Sequence, residues 1–255
     1  MRNSQNIVNI LAVYRIKKKE MVVYMGKIVV LEGTDFSGKT TQYDKLKDRL
    51  SSEGVMFGTD SFPNYNEPSC YFVETYLRGG FGEDATAIDP KLASTFYTLD
   101  RFASFKLRDW GKTYREGGNV LFARYITSNI LHQASKYDSW EDKKAFIDWL
   151  YDYECGLFGI PKDDCVILLN MPPEMGQKLK EQRLKEQNGL SSNGSEKDIH
   201  ESNAEYLRKS YDTALQVADY LGWKVVNCVD TEGRLKSIEE IHNEIYDIVQ
   251  SVFEV

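Results

Sequence analysis

A three-layer α/β domain, with a five-stranded parallel sheet and helices on both faces, is the fold this sequence predicts. Five short apolar runs recur along the chain, and helix-length amphipathic segments separate them. The runs are near-continuously apolar rather than alternating. Strands covered on both faces read that way, and strand–helix alternation builds parallel βαβ units.

The strands are expected at residues 27–32 (KIVVLE), 55–62, 119–123 (NVLFA), 165–170 (CVILLN) and 224–229 (KVVNCV). The helices between them are expected at 39–51, 68–78, 90–116, 126–135, 139–153, 173–187, 200–221 and 237–253. The polar stretch 187–195 (QNGLSSNGS) reads as a flexible loop between two helices. Residues 26–255 are expected to form one domain, with residues 1–25 an N-terminal extension that is disordered or lies upstream of the native start. In that extension an apolar patch at 7–14 precedes Arg15, Lys17, Lys18 and Lys19. A secretory signal has the reverse order; a basic arm touching a membrane is the alternative reading.

At 255 residues, 42% hydrophobic and 28% charged, the chain can bury a core without staples. A net charge of −7 and a pI near 5.2 argue against a nucleic-acid partner, which calls for a basic face. An acidic protein can still focus its cations in a phosphate-binding cleft. No stretch reaches the apolar length of a membrane span. Cys70, Cys155, Cys165 and Cys228 are scattered with no CxxC pair, which predicts free thiols in a reducing cytoplasm rather than a zinc site.

Gly33-Thr34-Asp35-Phe36-Ser37-Gly38-Lys39-Thr40 satisfies G-x-x-x-x-G-K-[ST] at every defined position. It follows an apolar strand and opens a helix, as its mechanism requires. The glycines let successive N–H groups curl inward onto phosphate oxygens, and the helix beginning near Lys39 adds its positive end. Lys39 can reach the β- and γ-phosphates of a nucleoside triphosphate, and the Thr40 hydroxyl can take a place on Mg²⁺. Residues 33–41, ending at Thr41, form the expected triphosphate cradle. The loop alone leaves open an ATPase, a GTPase, a kinase or a passive binder.

Five segments then occur in order: EGTDFSGKTTQ at 32–42, FPNY at 62–65, FYTLDRF at 96–102, RYITSN at 124–129 and PPE at 172–174. Together they resemble thymidylate kinase, in a Gram-positive-like form, over residues 26 to the C-terminus. The resemblance implies a P-loop NTPase fold with a mobile lid at about 175–200, ATP and Mg²⁺ as cofactors, dTMP as acceptor, and a homodimer. It implies that Asp35 meets the sugar of the monophosphate, that Phe62 and Pro63 wall the base, and that Tyr97 stacks on thymine. Tyr97 and Arg101 lie four apart and share a helix face; by similarity Arg101 approaches the base or the phosphate.

Arg124 directly follows the third strand, at the sheet end that faces the crevice in an open α/β fold, where a guanidinium can grip a phosphate bidentately. Ser128, Asn129 and Gln133 come one and two turns later and could read the pyrimidine edge, or simply begin a helix. Phosphoryl transfer also needs a cation at the moving group. One branch of the family places an arginine inside the P-loop, where this chain has Phe36. The other draws it from the lid, where Lys178, Lys180, Arg183 and Lys185 lie; Arg183 is the candidate, with Arg208 and Lys209 further along. Two positions depart from the family pattern: Ala123 and Asn170 stand where aspartates are usual. These departures keep a non-catalytic nucleotide binder in view, with Asp100 or Glu32 as compensating carboxylates. A nucleoside kinase using Glu32 or Asp35 as base is the third reading.

Overall fold

The structure, a computed structural model, describes residues 25–82, 84, 87–186 and 204–254. Its strands are β1 (Ile28–Gly33), β2 (Phe57–Ser61), β3 (Asn119–Ala123), β4 (Cys165–Asn170) and β5 (Lys224–Asn227). They pair in the order β2–β3–β1–β4–β5, every pair parallel. The predicted fold class holds. Val29 faces Leu121 across β1–β3, and Leu31 faces Ile167 across β1–β4. Alternation along β1 sends Ile28 and Val30 into one core and Val29 and Leu31 into the other. The central strands are therefore apolar on both faces, while β2 and β5, at the edges, are half exposed.

Helix α1 (Lys39–Ser52) follows β1, and α9 (Ile238–Phe253) packs beside it. On the other face lie α3 (Pro90–Leu107), α5 (Ile126–Ala134), α6 (Trp140–Tyr151) and α8 (Ala204–Leu221). The short α2 (Tyr71–Leu77) follows a 3₁₀ turn over Pro68–Cys70, and α7 (Pro173–Glu186) follows β4. Asp89, Ser139 and Ser237 cap α3, α6 and α9 through their side chains, the last in a capping box with Glu240.

Three expectations need correction. The helix expected over 90–116 is two helices, α3 and α4 (Asp109–Arg115), broken at Arg108, whose backbone is extended. Arg108 is drawn across to Asn64 and Asp60, and Gly111 lies so close to the Phe105 carbonyl that a Cβ there would sit 2.0 Å from it. Past α6 the chain runs on through a π turn, Asp152–Leu157, where the sequence pattern shows only a helix end. The second and fifth strands are also shorter than expected: residue 62 has left β2, although its N–H still bonds the Ala123 carbonyl at 3.2 Å. Residues 1–24 of the expected extension, and the expected loop at 187–195, lie outside the described residues.

Candidate active site

The turn after β1 forms as the motif requires. At Gly33 a Cβ would come 2.5 Å from Ser37 Oγ, so any side chain there would force Ser37 to turn away. Gly38 holds φ +81°, a left-handed conformation that glycine adopts without strain. Phe36 shares that region at φ +63° without being glycine. Among the described residues no side chain caps α1, so its first amides are left to whatever enters the loop. Thr34, Asp35, Phe36, Ser37, Gly38, Lys39, Thr40 and Thr41 line a cavity of about 550 Å³ together with Arg124. Lys39 Nζ donates to the Gly33 carbonyl at 2.9 Å. Burial, and then the nearby Arg124 charge, push its amine down to about 7.

A second cavity of about 670 Å³ opens beside the first. Its wall includes Phe62, Pro63, Tyr97, Arg101, Ser128, Asn129 and Gln133, all from the expected set. Asp35 and Arg124 line both cavities, and their side chains meet at 2.6 Å. Burial alone would raise Asp35, but the Arg124 guanidinium, with His132 and Lys39 behind it, outweighs that and holds the carboxyl well below its usual range. Arg124 reaches this position from a left-handed backbone, φ +64°, immediately after β3.

Gln133 is wholly buried, and among the described residues neither end of its amide has a hydrogen-bond partner. A buried amide is ordinarily satisfied, because leaving it bare costs about 1–3 kcal/mol. Arg101 stands differently from expectation. It donates to Glu154 at 2.7 and 2.5 Å and to the Tyr125 carbonyl at 3.3 Å, so its charge is neutralised by protein before any ligand arrives. Burial works against that charge, and Glu154 more than restores it.

Sequence reasoning did not single out His132, Tyr125, Leu77 or Glu154. His132 lies 3.2 Å from Arg124 and one turn beyond Ser128; that spacing was the available signal. Burial pushes its imidazole down to about 4, so near neutral pH it stands uncharged beside the guanidinium. Glu32 is buried and accepts from Thr127 and Ser128, both at 2.7 Å, and among the described residues its second oxygen is unbonded. Asp100 accepts from Asn64 N–H and Ser69, pinning the 62–65 turn, which removes it as a compensating carboxylate. Asn170 bonds Asn227 and Tyr211 at 2.8 and 2.9 Å.

From the lid side, Gly176 of α7 sits against Phe36, and Lys180 Nζ lies 4.2 Å over the Phe36 ring. Residue 183 falls in the last turn of α7, but the Arg183 side chain lies outside the described residues. Among the described residues no cluster of three or more His, Cys, Asp or Glu could hold a metal, and no helix is long and apolar enough to cross a membrane.

The family model described as thymidylate kinase matches residues 31–245. The chain belongs to the thymidylate kinase family. It is 26% identical to thymidylate kinase of Dictyostelium discoideum over 93% of this chain and 90% of that one. It is 28% identical to a probable thymidylate kinase of Methanocaldococcus jannaschii, covering 88% and 96%. The solved thymidylate kinase of Candida albicans shares its fold with a TM-score of 0.60 at 19% identity, over 89% of this chain and 92% of that one. The matched region of this thymidylate kinase family member spans both cavities and the segment that joins them.

Proposed function

We propose that this chain transfers the γ-phosphoryl group of ATP to dTMP, giving ADP and dTDP. One observation carries the reading: a triphosphate cradle and a base-sized cavity meet at a single shared pair, Asp35 and Arg124. In-line transfer needs donor and acceptor oxygens brought together at one point, and positioning supplies most of the catalysis.

Residues 33–41 and Lys39 take the triphosphate. The Thr40 hydroxyl, which lines the cradle, would hold Mg²⁺; such a site uses few protein ligands, in keeping with the absence of a carboxylate cluster among the described residues. When bound, the ion neutralises phosphate charge. dTMP lies in the second cavity. Tyr97 stacks on the base against Phe62 and Pro63, and Ser128, Asn129, Gln133 and Arg101 face the pyrimidine edge. Arg124 turns from Asp35 to the incoming phosphate, freeing Asp35 for the sugar hydroxyl. Arg183 supplies the lid cation at the moving phosphoryl group, with Lys180 beside it.

Asn170 is engaged in a polar network of its own, so its amide has a structural use, and the family comparisons do not favour a non-catalytic paralogue. We further assign a cytoplasmic homodimer. Leu92, Phe96 and Leu99 form an apolar stripe on α3 beside the exposed Phe72, a face suited to a second copy. The test of function is coupled ADP release across nucleoside monophosphates, with thymidine as comparison. Turnover of dTMP and weak binding of thymidine are expected. ATP binding with every monophosphate inert would overturn the assignment.

A further inference from the structure

Glu154 belongs to none of the sequence motifs. It is fully buried in the π turn after α6, a kind of winding that recurs at functional sites. Its carboxylate faces two cavity-lining side chains at once: Arg101, through Nε and a terminal nitrogen, and Asn129, whose Nδ2 donates at 3.3 Å.

These bonds decide what the cavity displays. The Asn129 amide nitrogen points at two groups that can only accept, the Glu154 carboxylate and the Ser94 carbonyl at 3.4 Å, so the amide cannot reverse. Oδ1 is then the acceptor this residue offers to the cavity. Arg101 offers only donors. Of its five N–H bonds, one each from Nε, Nη1 and Nη2 goes to protein, which leaves a spare hydrogen on either terminal nitrogen. Gln133 has neither end held and can turn either way. The order of acceptor and donor is therefore set by Asn129 and Arg101, and both are set by Glu154.

We propose that Glu154 is a positioning residue for base selection: it fixes a hydrogen-bond order that accepts a ring N–H beside a carbonyl, the thymine and uracil edge, and rejects the cytosine edge. The inference rests on the second cavity, walled by Phe62 and Tyr97, being the acceptor site. A cytosine edge would set its ring nitrogen against Asn129 Oδ1 and its amino group against Arg101, leaving buried polar atoms unpaired on both sides.

The experiment compares kcat/KM for dTMP and 5-methyl-dCMP, which share methyl, sugar and phosphate and differ only at that edge. The wild type is expected to prefer dTMP by about 100-fold or more. Glu154→Gln, able to donate as well as accept, releases the Asn129 amide. The preference should shrink at least about tenfold, through KM for the two monophosphates, with KM for ATP unchanged. The double variant Arg101→Met/Glu154→Met removes the buried charge pair together, so no lone charge is stranded; it should lose the preference likewise. Persistence of the full preference in either folded variant overturns the role of Glu154. A wild type that takes both nucleotides equally overturns this inference alone. A wild type inert to every monophosphate overturns the acceptor reading and this inference with it.

Discussion

Replacing Gln133 with leucine should make the protein more stable and a worse enzyme. The wild-type amide is wholly buried with both polar ends unbonded among the described residues. Each fold therefore carries a desolvation penalty of about 1–3 kcal/mol that leucine, of similar volume, does not incur. For a chain of this size about 1 kcal/mol moves Tm by roughly 2–4 °C, so Gln133→Leu should melt roughly 2–12 °C higher on these figures. In the dTMP complex the amide gains one or two neutral hydrogen bonds, about 1–3 kcal/mol together. Their loss raises KM for dTMP by roughly 5–150-fold, with KM for ATP unchanged. Calorimetric melting and steady-state ADP release read the two effects separately. A variant that melts lower and binds dTMP normally would refute the reasoning, because the amide would then be satisfied in the free protein and idle in the complex.

Arg124→Met removes the group shared by both cavities and should lower kcat/KM for dTMP by about 30–1,000-fold, the worth of two charge-assisted bonds less the Asp35 bond given up. Arg124→Lys, which keeps the charge but not the fork, should recover only part; a methionine variant within threefold of wild type would refute the assignment. Burial holds Lys39 near 7, so binding of a triphosphate that restores its ordinary value of about 10.4 must take up a proton. ATP affinity should fall as pH rises from about 7 to 9, and titration calorimetry in buffers of differing ionisation enthalpy should show uptake of close to one proton at about pH 8.5 and little at about pH 6. Leu99→Glu on the α3 stripe should convert a dimer to a monomer by light scattering while leaving the melting temperature within a few degrees.

Much of this was legible because the signals are local. The P-loop motif, the uncapped start of α1 and the apolar β1 run lie within one βα unit, and the i, i+4 pairing of Tyr97 with Arg101 follows from helix geometry. What escaped depends on contacts far along the chain. Arg108 breaks a continuous helical pattern because its partners, Asp60 and Asn64, are more than forty residues away. Arg101 reads as a ligand-seeking cation, yet its partner Glu154 sits 53 residues on, in a turn that no periodicity announces. A spacing rule sees neighbours on one element; it does not see which acceptor a folded chain carries to a given cation.

The absent aspartate at 123 is informative for the same reason. In register, Ala123 lies opposite Leu31 and faces the core that α1 covers, whereas Glu32, one residue further along β1, points to the other face and is held by Thr127 and Ser128. Glu32 therefore does not stand in for the missing side chain. Apart from the Arg101–Glu154 pair, the cationic groups at the two cavities, Lys39 and Arg124, face the carboxyls Asp35 and Glu32. A triphosphate and a monophosphate bring several negative charges into that balance, and a third protein carboxylate would deepen the excess unless a metal ion bridged it. On the proposed reading, with alanine at 123 neutralisation would fall to Mg²⁺ and to the cations of α7. There Lys180 already lies over the Phe36 ring of the P-loop turn.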